Sequence, residues 1–173
     1  DEINQFSEDA RQLRDLYLES QKLLIKTTVD HTVDYITYSQ RNTEARLKET
    51  VRSRTKEALR TAEHLTAFYG GTMGREELED LVRESLRSVR FNDGRGYYFI
   101  MDTEGYSRLF SASPEYEGKH FLSLPNENMV EVARDMIRIV DTEGRGFYEY
   151  YWMKPGGDEE LHRKIAYIDY FEP

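Results

Sequence analysis

Tyr148, Tyr150, Trp152 and Lys154 alternate along one run of the chain. In a strand all four share a face, while Phe147, Glu149, Tyr151 and Met153 share the other. The first face offers an apolar wall, hydroxyl and indole donors and one cation, a set that suits a small anion with a short carbon skeleton. A later run places Lys164, Ala166, Ile168 and Tyr170 on one face. Lys164 sits centrally there, in a Tyr- and Ile-rich stretch where a purely solvated lysine is unusual. Tyr98 and Phe110, on an earlier hairpin, are read as the opposite wall. Arg108 is a second candidate cation, although an exposed position is the plainer reading for it. The candidate ligand-binding residues are thus Tyr98, Phe110, Tyr150, Trp152, Lys164 and Arg108. A partly buried charge-assisted hydrogen bond to lysine contributes roughly 1.5–3 kcal/mol. A micromolar ligand needs about 8 kcal/mol, so several such contacts must converge. The competing reading is that the aromatics are only core and the lysines keep their heads in water.

Other chemistries find little support. Cysteine is absent, which excludes thiol catalysis, disulfides and cysteine–metal sites. The histidines, at 31, 64, 120 and 162, show no close ligand spacing. Asp102 to Gly105 lacks the EF-hand pattern and reads as a turn. There is no Gly-x-Ser-x-Gly elbow and no Walker loop, and Gly94-x-Gly96 precedes a strand, the wrong context for a dinucleotide. No catalytic residue, metal ligand or cofactor is assigned, and an enzyme is not expected. The net charge of −9 disfavours a nucleic-acid partner.

The elements that position these residues follow from periodicity. Between Asn4 and Tyr69 there is no Pro or Gly, and apolar residues recur at helical spacing at Ile25, Val29, Val33 and Ile36, then at Leu47, Val51, Ala58, Ala62, Leu65 and Tyr69. The segment from Thr37 to Arg46 is polar nearly all round. One helix of this length would run roughly 95–100 Å, against a radius of gyration of about 13 Å for the remaining hundred residues. Such a helix must protrude, bend or pair with a second copy. Gly70-Gly71 ends it. A second helix is predicted over 75–89, strands over 97–101 and 106–111, a helix over 126–140, and strands over 147–154 and 163–171 joined through Pro155, Gly156, Gly157 and Asp158. The glycine-flanked aromatic runs read as two entries into one antiparallel sheet with helices on one side, an α+β class. The domain division is residues 1–69, a signalling and dimerisation helix, and residues 70–173, a ligand-binding domain.

Four motifs in order resemble a Cache domain, nearest to the single-Cache type 2 pattern, which also occurs as the first lobe of tandem receptors. They are Gly-x-Gly-Tyr-Tyr-Phe-Ile-x-Asp-x-x-Gly (94–105), Pro-Glu-x-x-Gly-Lys (114–119), Gly-x-Gly-Phe-x-x-Tyr-x-Trp-x-Lys-Pro (144–155) and Lys-Ile-x-Tyr (164–167). The resemblance covers roughly residues 45–173. It implies a PAS-like antiparallel sheet on a long N-terminal helix, in the extracytoplasmic (periplasmic) part of a bacterial or archaeal inner-membrane receptor. It further implies a small organic acid as ligand and a histidine kinase, diguanylate cyclase or chemotaxis output. Relatives carry His-Pro where this chain has Phe110-Ser111, so a contact that depends on that histidine does not carry over. Relatives also continue past Phe-x-Pro into a further strand, so the sheet is expected to lack a member.

No apolar run reaches the roughly 18–20 residues that span a bilayer. The chain starts at Asp1 without Met and stops just after a strand-like run. It is therefore expected to be part of a longer protein; the resemblance implies that this protein is membrane-anchored, and a homodimer along the first helix is expected. The alternative is a ligand-free dimerisation or spacer module. Aromatic rings packed with no hollow between them, or ribbons in separate sheets, would end the case for the sensor reading.

Overall fold

The computed structural model describes residues 2–153 and 160–172. Lys154 and the turn through Pro155, Gly156, Gly157 and Asp158 lie outside them. The chain forms two compact units, residues 1–46 and 47–173. Helix α1 (Glu2–Tyr69) accounts for the described residues of the first unit, and its later residues belong to the second. In the first unit the helix is exposed, and so are its large apolar side chains, including Leu18, Ile25, Val29 and Ile36. Its threonine hydroxyls turn inward, Thr28 donating to the Leu24 carbonyl and Thr32 to that of Thr28.

In the second unit α1 stops at Gly70, whose N–H bonds the Thr66 carbonyl at 2.9 Å. A Cβ at Gly70 would stand 2.6 Å from that same oxygen, so a side chain is excluded there. Helix α2 (Arg75–Arg87) buries Leu78, Val82 and Leu86, and places Glu76 and Glu77 in its first turn and Arg87 in its last, complementing the helix dipole. Strands β1 (Phe99–Met101) and β2 (Ser107–Phe110) form a hairpin with a register shift between Ile100 and Met101. The Asp102 carboxylate holds its turn by accepting from the N–H groups of Glu104 and Tyr106, and Gly105 takes φ +90°. Two short 3₁₀ turns, Pro114–Tyr116 and Phe121–Ser123, lead to α3 (Glu127–Glu143), capped by the Asn126 side chain accepting from the Met129 N–H at 3.1 Å. Strands β3 (Arg145–Met153) and β4 (Leu161–Asp169) pair antiparallel from Arg145↔Asp169 to Met153↔Leu161.

The α+β class with its long N-terminal helix is thus present, but three expectations need correction. The second ribbon begins earlier than its aromatic pattern suggests. The Gly144 cap hands directly to the strand, and Arg145 and Gly146, weak strand formers, are carried into the ladder by β4. Tyr97 and Tyr98 stand outside β1, because the Phe91↔Gly96 bridge closes a separate loop just before them. Finally, the ribbons are not one sheet. Among the described residues β1 pairs only with β2, and β3 only with β4. They meet through side chains instead.

Two clusters flank the β1–β2 ribbon. Ala62 of α1 packs with Val82 and Leu86 of α2 and with Leu109, which is fully buried. On the other side Phe110 packs with Phe121, Trp152 and the α3 residues Met129, Val132, Ala133 and Met136. Adjacent residues of β2 serve opposite clusters because strand side chains alternate. Arg87 pins the following loop to α2 through a two-pronged pair with Glu117, 2.7 and 3.0 Å, and Glu117 also accepts the Phe110 N–H at 2.9 Å. The Arg87 hydrogen bonds, aided by that N–H, hold the Glu117 carboxyl below its usual range. A depressed carboxylate pKa stabilises the fold above the unfolded value of about 4.3 and loses that contribution as pH falls through the folded pKa. Glu117→Gln should therefore lower the melting temperature at pH 7 and flatten its fall on acidification below about pH 4.3. A parallel acid limb in both proteins would show that the pair contributes nothing.

Candidate ligand cavity

A cavity of about 410 Å³, counting its open mouth, lies among β1, β2, α3 and β3. The first ribbon contributes Phe99, Ile100, Met101, Ser107, Leu109 and Phe110. Helix α3 contributes Val132, Ala133 and Met136, β3 contributes Tyr150 and Trp152, and Phe121 completes the wall. Phe99, Ile100 and Met101 are consecutive, so the space wraps the edge of β1 instead of facing one side of it.

Among the described residues the ribbons lie in separate sheets, one of the two findings set against the sensor reading, whereas the other, rings packed with no hollow, is not met. The hollow itself is there, and both ribbons wall it. The aromatic rings touch at its margin without filling it: the Trp152 centroid lies 6.0 Å from Phe110, 6.4 Å from Phe121 and 6.2 Å from Tyr150.

Of the residues singled out from sequence, Phe110, Tyr150 and Trp152 come together on this cavity. Lys164 lies directly across the ladder from Tyr150, on the same face, and is half-buried. Tyr98 lies elsewhere: it packs with Ile100 and Leu109 against α1, and its hydroxyl donates to the Arg54 carbonyl at 2.7 Å. Arg108 points outward, paired with Asp102 at 2.8 Å and set over the Tyr106 ring. The α3 wall was legible only as an apolar stripe, and Ser107 carried no signal at all.

The tyrosines around the cavity are donors at any physiological pH. Burial raises Tyr97 to about 12. Burial raises Tyr150 as well, with smaller contributions from Tyr97 and Tyr148. Tyr148 is raised by burial and by its hydrogen bond to Asp135 at 2.9 Å.

The strands that wall the cavity also grip α1 within the same unit. Glu149, between Tyr148 and Tyr150 but on the opposite face, pairs with Lys48 at 3.0 Å and with Arg163. Thr55 donates to the Tyr167 carbonyl at 3.3 Å. With Tyr98 on Arg54 and Leu109 on Ala62, both ribbons hold the segment of α1 from Leu47 onward.

A family model described as the Cache domain, in its dCache_2 form, matches residues 2–173. The chain belongs to the Cache domain family. Cache domains are ligand-binding sensor modules and not catalysts. Among solved structures, the chain is similar to a periplasmic sensor domain of a chemotaxis protein, with 24% identity, TM-score 0.67, and coverage of 75% of this chain and 89% of that one. It is also similar to a Cache chemosensory domain described for carboxylic acid recognition, with 23% identity, TM-score 0.58, and coverage of 73% and 90%. A methyl-accepting chemotaxis protein from Vibrio parahaemolyticus matches with 25% identity, TM-score 0.51, and coverage of 73% and 85%. No curated protein matches the chain. No helix among the described residues of this Cache domain is long and apolar enough to cross a membrane.

Proposed function

We infer that this Cache domain is the extracytoplasmic ligand-sensing part of a transmembrane signalling receptor and that its ligand is a small organic acid. The observation that carries this is the cavity walled by Phe110, Tyr150 and Trp152. The carboxylic acid recognition described for a structural neighbour supports the same ligand class. In this reading Trp152 and Phe110 cover the carbon skeleton, Tyr150 donates to the carboxylate, and Lys164 supplies positive charge from the adjoining strand. Binding draws the two ribbons together, and their grip on α1 passes the change to that helix. Shifts of about 1–2 Å between packed elements suffice for a switch. The ligand biases output only by its differential affinity for the two arrangements. Helix α1 pairs with a second copy of the chain and leads to a cytoplasmic histidine kinase, diguanylate cyclase or chemotaxis domain.

The test is a thermal-shift screen of small carboxylates and amino acids on wild-type protein and on Lys164→Ala. A hit that raises the wild-type melting temperature, and whose affinity falls about tenfold or more in the variant, is expected from a charge-assisted contact. Equal affinity in both proteins would remove Lys164 from the site, and the absence of any hit would remove the organic-acid reading.

A further inference from the structure

The cavity wall is unusually one-sided in its chemistry. Of its lining residues only Ser107, Tyr150 and Trp152 carry a side-chain nitrogen or oxygen, the indole N–H of Trp152 being a donor alone, and none is charged. Ser107 is 4% exposed. Its backbone is engaged, the N–H donating to the Lys119 carbonyl and the carbonyl accepting from Gly118. Its hydroxyl has no hydrogen-bond partner among the described residues, and neither does that of Tyr150. Neither hydroxyl is fully buried, and both belong to residues that line the cavity, so a guest's polar atom can reach them there and satisfy them.

We propose that the ligand is a monoacid with a substantial hydrocarbon part, aliphatic or aromatic, whose single carboxylate accepts hydrogen bonds from the Ser107 and Tyr150 hydroxyls. Its tail lies against Met136, Ala133, Phe99 and Met101. This rests on the sensor reading above and narrows its ligand class. A dicarboxylate would have to leave its second charge against hydrocarbon, where an unpaired ion is strongly disfavoured. An acid as short as acetate would leave most of the apolar wall without contact. Each methylene buried adds roughly fourfold in affinity, from about 0.8 kcal/mol. Chain length up to the capacity of the cavity, and not number of charges, sets the preference.

The experiment is calorimetric titration of the chain with acetate, hexanoate, benzoate and succinate, repeated on Tyr150→Phe and Ser107→Ala. Hexanoate or benzoate should bind at least tenfold more tightly than acetate, and succinate should not compete. Each substitution should weaken the best acid roughly tenfold or more. Both are small changes, and circular-dichroism melts verify that the variants remain folded. Should either variant fail to fold, the wild-type ranking alone still decides. Succinate binding more tightly than hexanoate and benzoate would overturn this proposal while leaving the organic-acid sensor intact. Unchanged affinity in both folded variants would overturn the assignment of the two hydroxyls. No heat with any of the four acids would overturn the narrowed class, and the broader screen with Lys164→Ala then decides the parent reading separately.

Discussion

Trp152→Ala is expected to lower the free energy of unfolding by about 3–5 kcal/mol. Trp152 is 5% exposed and contacts three other rings, those of Phe110, Phe121 and Tyr150. Truncation removes those contacts and merges the vacated space with the existing cavity, so little collapse can offset the loss. The indole is shared between cavity wall and core, so the substitution reports on packing as well as on the ligand space. Urea unfolding of wild type and variant measures the cost. A change below about 1 kcal/mol would mean that Trp152 is not packed as described.

Leu109→Ala is expected to cost about 2–5 kcal/mol. Leu109 is 0% exposed and joins the β1–β2 ribbon to Ala62 of α1 and to Val82 and Leu86 of α2. It borders the cavity too, so with Ile100 it is an apolar link between the ligand space and the helix. Its loss should loosen α1 and α2 more than the β3–β4 ribbon, whose cluster is built on α3 and Phe110. Hydrogen exchange should show protection falling first between Leu47 and Tyr69 and in α2. Uniform loss across both clusters would mean that the two sides of the ribbon unfold as one and that Leu109 does not single out the helix.

Much of this was legible in the sequence because it depends on local rules. The absence of Gly and Pro up to Tyr69 predicts α1, and the Asp102–Gly105 turn predicts the first hairpin. The alternation of Tyr148, Tyr150 and Trp152 correctly placed them on one face, as the pairing of Tyr150 with Lys164 and of Tyr148 with Ala166 shows. What local rules do not contain is which face of a hairpin turns inward when both are apolar. Tyr98 and Phe110 were placed on one wall, yet they serve opposite clusters. Arg108 shares the parity of Phe110, but the nearby carboxylate of Asp102 holds it outside. Ser107 was unreadable because a small polar residue at a strand start has no pattern of its own. Its meaning comes only from the apolar surface around it. Whether two ribbons join into one sheet is likewise a long-range matter that alternation within each ribbon cannot decide.

The central claim, that a small guest occupies the space between the two ribbons, has a built-in reporter. The chain contains a single tryptophan, Trp152, and it lines the cavity. Titration with the tightest acid found in the screen, followed by tryptophan emission, should give a saturable change with the dissociation constant that calorimetry reports. Calorimetric binding with the tryptophan emission unmoved would place the acid elsewhere on the protein and contradict the account.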